Sequence, residues 1–156
     1  MTEPPSPRTV HLHDEQGMAV DTERIRTIAL AAAAAEGAVG EIGITLVEPD
    51  RIAELNEQHL GGSGPTDVLS FPVDGLVTEP PGPDDPPVLI GDVVLCPAIA
   101  AAQAPPGPDG TASELDLLTA HGVLHLLGYD HDTEEAAAAM RAREESVSGR
   151  AGARAS

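Results

Sequence analysis

Apolar residues change their spacing several times along this chain, and each change marks an element. Thr9 to His13 alternates polar and apolar side chains, the period of a strand with one buried face. From Asp21 or Thr22, either of which can cap, to about Glu36 the period becomes helical. Ile25, Ile28 and Ala29 then share one face. A run of five alanines gives this helix high propensity and permits close packing, and Gly37 and Gly40 end it. Glu41 to Val47 alternates again, with Ile42, Ile44 and Leu46 on one side. Pro49 to His59 reads as a short helix with proline at its first turn, where a missing N–H costs nothing. Gly61 to Pro65 is a loop and Val68 to Val73 a strand. Asp74 to Pro87 holds five prolines and several acids, so it reads as an exposed insertion. Val88 to Cys96 is the most apolar strand, interrupted by Gly91 and Asp92. A carboxylate inside such a strand needs a partner. It is either exposed at a bulge beside Gly91 or bonded to backbone near a site. Pro97 to Ala104 is a short helix, stopped by Pro105, Pro106, Gly107 and Pro108. The following helix runs to Leu127, with Thr111 and Glu114 at capping-box spacing near its start. Leu115, Leu118, Leu124 and Leu127 can face a core while His121 and His125 look into a cleft. Thr133 or Asp132 caps a last helix through about Val147.

The resulting order, β-α-β-α-β-β-α-α-α, implies an α+β fold. It predicts a small mixed sheet of about four strands covered by helices. Residues 1–8 are expected to be a tail, 9–147 a single domain, and 148–156 a second tail. No internal repeat is evident.

Composition changes the picture in two places. The only aromatics are Phe71 and Tyr129, so the core of this 156-residue chain must be aliphatic. Twenty-six acidic residues face eight arginines and no lysine, for a net charge of −18. Such a field repels polyanions, and a basic stripe of the kind common in RNA-binding domains is absent. Arg141, Arg143, Arg150 and Arg154 do cluster late in the chain. The single cysteine, Cys96, allows no internal disulfide and reads as a buried small hydrophobe. No apolar run approaches the roughly 20 residues of a membrane span. Nor does the N-terminus carry a secretory pattern, so a cytoplasmic location is expected.

The candidate chemistry lies in one stretch, His121 to His131. Its histidines have the spacing H-x-x-x-H-x-x-x-x-x-H. Residues four apart on a helix project from one face, so His121 and His125 stack one turn apart. Gly128 permits the left-handed backbone that ends a helix, which lets the chain bring His131 back toward them. Three imidazoles with no fourth protein ligand describe an open catalytic zinc site. A lone histidine on a helix needs no such explanation. Three of the six in the chain, within eleven residues around a helix stop, favour the metal. Asp130 could orient a ligand imidazole through its second nitrogen, or could simply be a turn aspartate.

The stretch H-G-x-L-H-L-x-G-Y-D-H resembles the signature of the YbeY family, bacterial endoribonucleases and ribosomal RNA maturation factors. Gly64 to Pro72 resembles the family's P-T-D-V-L-S-F-P block, and Gly91 to Cys96 its G-D-[IV]-x-[IL] strand. The blocks fall in the family's order, and the resemblance runs from about Val10 to Val147. It implies that His121, His125 and His131 bind one zinc ion per chain. It also implies a single-strand-specific endoribonuclease acting on ribosomal RNA precursors at the small ribosomal subunit, with no DNA and no membrane as partner. It places Thr66, Asp67 and Ser70 in the substrate cleft.

Two positions bear on the activity. Zinc proteases place their general base directly after the first histidine, and here that residue is Gly122. Peptide hydrolysis by that route is therefore disfavoured. Many family members carry an arginine five residues before the proline of P-T-D-V-L-S-F-P. Here Leu60 stands there, leaving the preceding His59 as the remaining cleft candidate. Two rival readings stay open: another metal-dependent hydrolase such as an amidase or peptidase, and a ribosome-assembly module with a structural metal.

Overall fold

A strand that alternates apolar and polar residues rests one face on a core, and two alternating segments, Arg8–Asp14 and Gly40–Leu46, pair with two others in one sheet. The computed structural model describes residues 7–59, 66–130 and 133–148. Strands β1 (Arg8–Asp14), β2 (Gly40–Leu46), β3 (Val68–Pro72) and β4 (Leu89–Leu95) lie in the order β1-β2-β4-β3. The first three in space are parallel, and β3 is antiparallel on the edge. Helices α1 (Thr22–Ala35), α2 (Pro49–His59), α3 (Pro97–Gln103), α4 (Gly110–Leu126) and α5 (Glu134–Ser148) complete the fold. Element order and α+β class agree with the pattern of the sequence. Asp21 caps α1 by accepting from the Arg24 N–H, and Thr133 caps α5 by accepting from the Ala136 N–H.

Ile42, Ile44 and Leu46 of β2 and Val93 and Leu95 of β4 face one core. Ile25, Ala29 and Ala33 of α1 and Leu115, Leu118 and Leu126 of α4 close it. The other sheet face carries a smaller cluster of Val47, Ile52, Leu69, Val94 and Cys96. Burial pushes the Cys96 thiol pKa up, as expected for a packed cysteine. The register slips between Glu41 and Ile42, which pair with Leu89 and Gly91. Ile90 is therefore bulged, and Asp92 just beyond it is exposed, the first of the two alternatives for that carboxylate. The segment after Asp74 is largely exposed coil.

Helix α4 is the centre. Twelve of its seventeen residues are buried, so it lacks the single apolar stripe of a surface helix. It packs against α1, α3, α5, β3 and β4 at once. Its start differs from the capping-box expectation. The helix begins at Gly110, with Asp109 in the cap position and no side-chain cap bond. Thr111 lies inside the first turn, and Glu114 is 2% exposed. The proline-rich segment fixes this start instead. A Cβ on Gly110 would stand 2.0 Å from the Pro105 carbonyl oxygen. The far end follows expectation. Gly128 takes φ +101, the Gly128 N–H donates to the His125 carbonyl, and the Tyr129 N–H donates to the Leu124 carbonyl. These two bonds are the Schellman pattern.

Gly122 sits where α4 presses on the sheet. A Cβ there would lie 2.8 Å from Val93 Cγ1 and 3.2 Å from Val68 Cγ2. Helix propensity alone would make Gly122→Ala stabilising by about 1 kcal/mol. Overpacking opposes this by about 1–3 kcal/mol. Val93 is fully buried and β-branched, so it cannot swing aside. We expect net destabilisation, read as a lower urea midpoint. A raised midpoint would mean that the helix and sheet separate freely.

Candidate metal and substrate cleft

The burial of α4 exposes one short face, and both helical histidines stand on it. The His121 and His125 rings lie 4.6 Å apart between centroids, nearly perpendicular at 78°. They line a cavity of about 420 Å³ together with Thr66, Asp67, Val68, Leu69, Ser70 and Pro72. The structure thus brings together two of the three proposed ligands and three of the cleft candidates, Thr66, Asp67 and Ser70. His131 and Leu60 lie outside the described residues. Among the described residues, no group of three or more His, Cys, Asp or Glu side chains is arranged to hold a metal. His59 is exposed at the end of α2, edge-on to Phe71 with ring centroids 5.7 Å apart. It is not among the residues that line the cavity.

Glu144 is a site residue that the sequence reading missed. Its carboxylate, buried on α5, contacts Nδ1 of His121. A carboxylate on Nδ1 orients the ring and leaves Nε2 as the other donor, the usual support of a metal-binding histidine. Asp130, proposed for such a role from its place beside His131, is exposed. No signal in the sequence singles out Glu144, which is one of several acids on a charged helix. Only the packing of α5 on α4 brings it to His121. The donor set fits a divalent ion: two adjacent imidazoles, one braced by a buried carboxylate.

A second link stiffens the turn that leads to His131. Tyr129 donates its hydroxyl to Glu36 Oε1 at 3.1 Å, and Arg143 Nε lies 2.8 Å from Glu36 Oε2. Tyr129 and Glu36 together hold the Arg143 pKa above its ordinary value. Tyr129 therefore ties the α4–α5 turn to the end of α1. The base of the cleft is fixed by Ser70, whose hydroxyl donates to the Gly122 carbonyl at 2.9 Å. Gly122 itself faces Val68 and Val93 rather than the cavity. A glutamate at this position could not reach the cleft without displacing the sheet.

Residues 9–152 match the family described as Endoribonuclease YbeY. A protein of that name from Salinispora tropica is 46% identical over 134 residues, covering 81% of this chain and 85% of that one. Its namesake from Acidothermus cellulolyticus is 43% identical over 136 residues, covering 82% of each. The solution structure of TM1509 from Thermotoga maritima shares the fold, with a TM-score of 0.56 and 26% identity over 90% of this chain and 89% of that one. With residues 9–152 inside one family and relatives above 40% identity along most of their length, this chain belongs to the Endoribonuclease YbeY family.

Proposed function

We propose that this chain is a metal-dependent endoribonuclease that cleaves single-stranded RNA during ribosomal RNA maturation. The observation that carries the reading is the braced histidine pair lining a polar-mouthed cavity in a chain of this family. In the fuller proposal, residues 9–147 act as one domain in the cytoplasm, on RNA of the small ribosomal subunit. His121, His125 and His131 hold one zinc ion. A divalent ion held there supplies Lewis-acid polarisation of a phosphate oxygen or of an attacking water.

The chain's own residues do the rest. Glu144 holds the His121 ring in one orientation. Ser70 locks the cleft wall to α4 through the Gly122 carbonyl. Tyr129, Glu36 and Arg143 hold the turn before His131. Gly122 gives the site no carboxylate base in the place where zinc proteases carry one, which counts against a peptidase. The net charge of −18 favours one rival, an assembly module with a structural metal. A cleavage assay separates the two.

Purified protein should cut a single-stranded RNA, lose that activity to a chelator, and regain it with zinc. His125→Ala should abolish cleavage while thermal unfolding shows a folded protein. Cutting that survives this substitution would remove the histidine pair from the reaction. Glu144→Ala should weaken metal affinity by about 10–100-fold, measured by competition with a chelator of known affinity. Unchanged affinity would mean that the carboxylate does not support a metal ligand.

A further inference from the structure

Strand β3 stands at the sheet edge, with β4 as its one strand neighbour among the described residues. In an antiparallel ladder, alternate residues turn their backbone N–H and C=O to the same side. Cys96 donates to the Asp67 carbonyl at 3.1 Å, and Val73 donates to the Ile90 carbonyl at 3.0 Å. The register runs from Val68 opposite Leu95 to Pro72 opposite Gly91. Asp67, Leu69, Phe71 and Val73 therefore turn their backbone groups toward β4. Val68, Ser70 and Pro72 turn theirs away from it. No strand among the described residues pairs with that side.

The cavity lies along this edge. Thr66, Asp67, Val68, Leu69, Ser70 and Pro72 are six of its eight lining residues. Side chains in a strand alternate between sheet faces. A wall built from successive residues is therefore the edge of the strand rather than either face. The wall offers two N–H donors, at Val68 and Ser70, and three carbonyl acceptors, since Pro72 has no N–H. The Ser70 hydroxyl bond to Gly122 holds it against the histidine helix.

We infer that the outer edge of β3 recognises the substrate through the hydrogen-bonding edges of unpaired nucleobases. This deepens the ribonuclease reading and rests on it. The alternation of groups chooses the ligand chemistry. A phosphate needs donors alone, and here it would meet carbonyl oxygens and the Asp67 carboxylate. A base edge carries donors and acceptors side by side. The outward groups recur about every 6.8 Å, two strand residues apart. That is twice the roughly 3.4 Å rise of stacked bases, so it suits nucleotides drawn apart. A duplex has already spent its base-pairing edges, so the wall selects single strands without using positive charge.

Backbone amide exchange tests this on the metal-loaded protein, with a short phosphorothioate RNA as the probe. In the free protein, Val68 and Ser70 amides should exchange faster than those of Leu69 and Phe71. The single-stranded probe should slow the first pair, and a duplex of the same sequence should not. Of the backbone groups, Ser70→Pro removes only an outward N–H, which an edge strand tolerates; it also loses the hydroxyl bond to Gly122. Ser70→Ala shares its loss of the Gly122 bond. Ser70→Pro should therefore bind the probe about tenfold more weakly than Ser70→Ala, the worth of one net hydrogen bond. If Ser70→Pro does not fold, the exchange measurement on the unaltered protein decides. A bound probe that leaves Val68 and Ser70 unprotected overturns this inference alone. Failure to bind any RNA overturns it together with the ribonuclease reading. Protection by an extended peptide and not by RNA overturns it in favour of a protein partner.

Discussion

A helix buried over most of its surface leaves its polar side chains little water, so they must find partners within the protein. Helix α4 meets this constraint along its length. Asp116, with 6% of its side chain exposed, takes Nε and Nη2 of Arg24 at 2.6–3.0 Å. That pairing holds the guanidinium pKa above its ordinary value. Thr119 donates to the Leu115 carbonyl at 2.7 Å. His121 meets the buried Glu144. The Asp116 and His121 pairs fasten α4 to α1 and to α5. A histidine on such a helix is aimed by the whole core, because moving it means moving the helix against the sheet, α1, α3 and α5 together.

Two neighbouring residues of α5 divide the work of holding the site. Successive helix positions point about 100° apart. Glu144 accordingly reaches His121 on α4, while Arg143 reaches Glu36 at the end of α1. Tyr129 joins the same glutamate from the α4–α5 turn. The Glu36 carboxylate is thus shared between the turn that approaches His131 and the helix that braces His121. Displacing α5 would release both at once. This explains why a fifth helix with only two buried residues, Met140 and Glu144, matters to the cleft.

Much of this was legible in the sequence, where a local rule and the global fold agreed. Period-two and helical spacing are set by neighbours, so the nine elements of the described residues fell in the expected order. The left-handed Gly128 and the pairing of His121 with His125 follow from helix geometry alone. What could not be read depended on contacts across long separations. Glu144 lies 23 residues from His121, and Glu36 lies 93 from Tyr129. No periodicity encodes either pair. The Thr111 and Glu114 capping box failed for a related reason. Its spacing was correct, but the packing of Gly110 on Pro105 and the burial of Glu114 decided where the helix begins.

Gly122 joins the packing of the fold to its chemistry. The position after the first histidine faces the sheet at van der Waals limits, and its carbonyl is held by Ser70. A protease would need that residue to carry a carboxylate into the cleft. Here α4 lies so close to β3 and β4 that only glycine fits, and that closeness sets the edge of β3 beside the histidines. The close approach that excludes a protease base also sets the backbone of β3 along one wall of the cleft. On a surface with a net charge of −18, long-range attraction cannot gather a polyanion. On the proposed reading, recognition then comes from short-range hydrogen bonds and from the cation assigned to the histidines. The acidic surface and the proposed RNA chemistry are compatible only if the cleft works at this short range, and the packing of Gly122 is what holds the β3 edge beside the histidines.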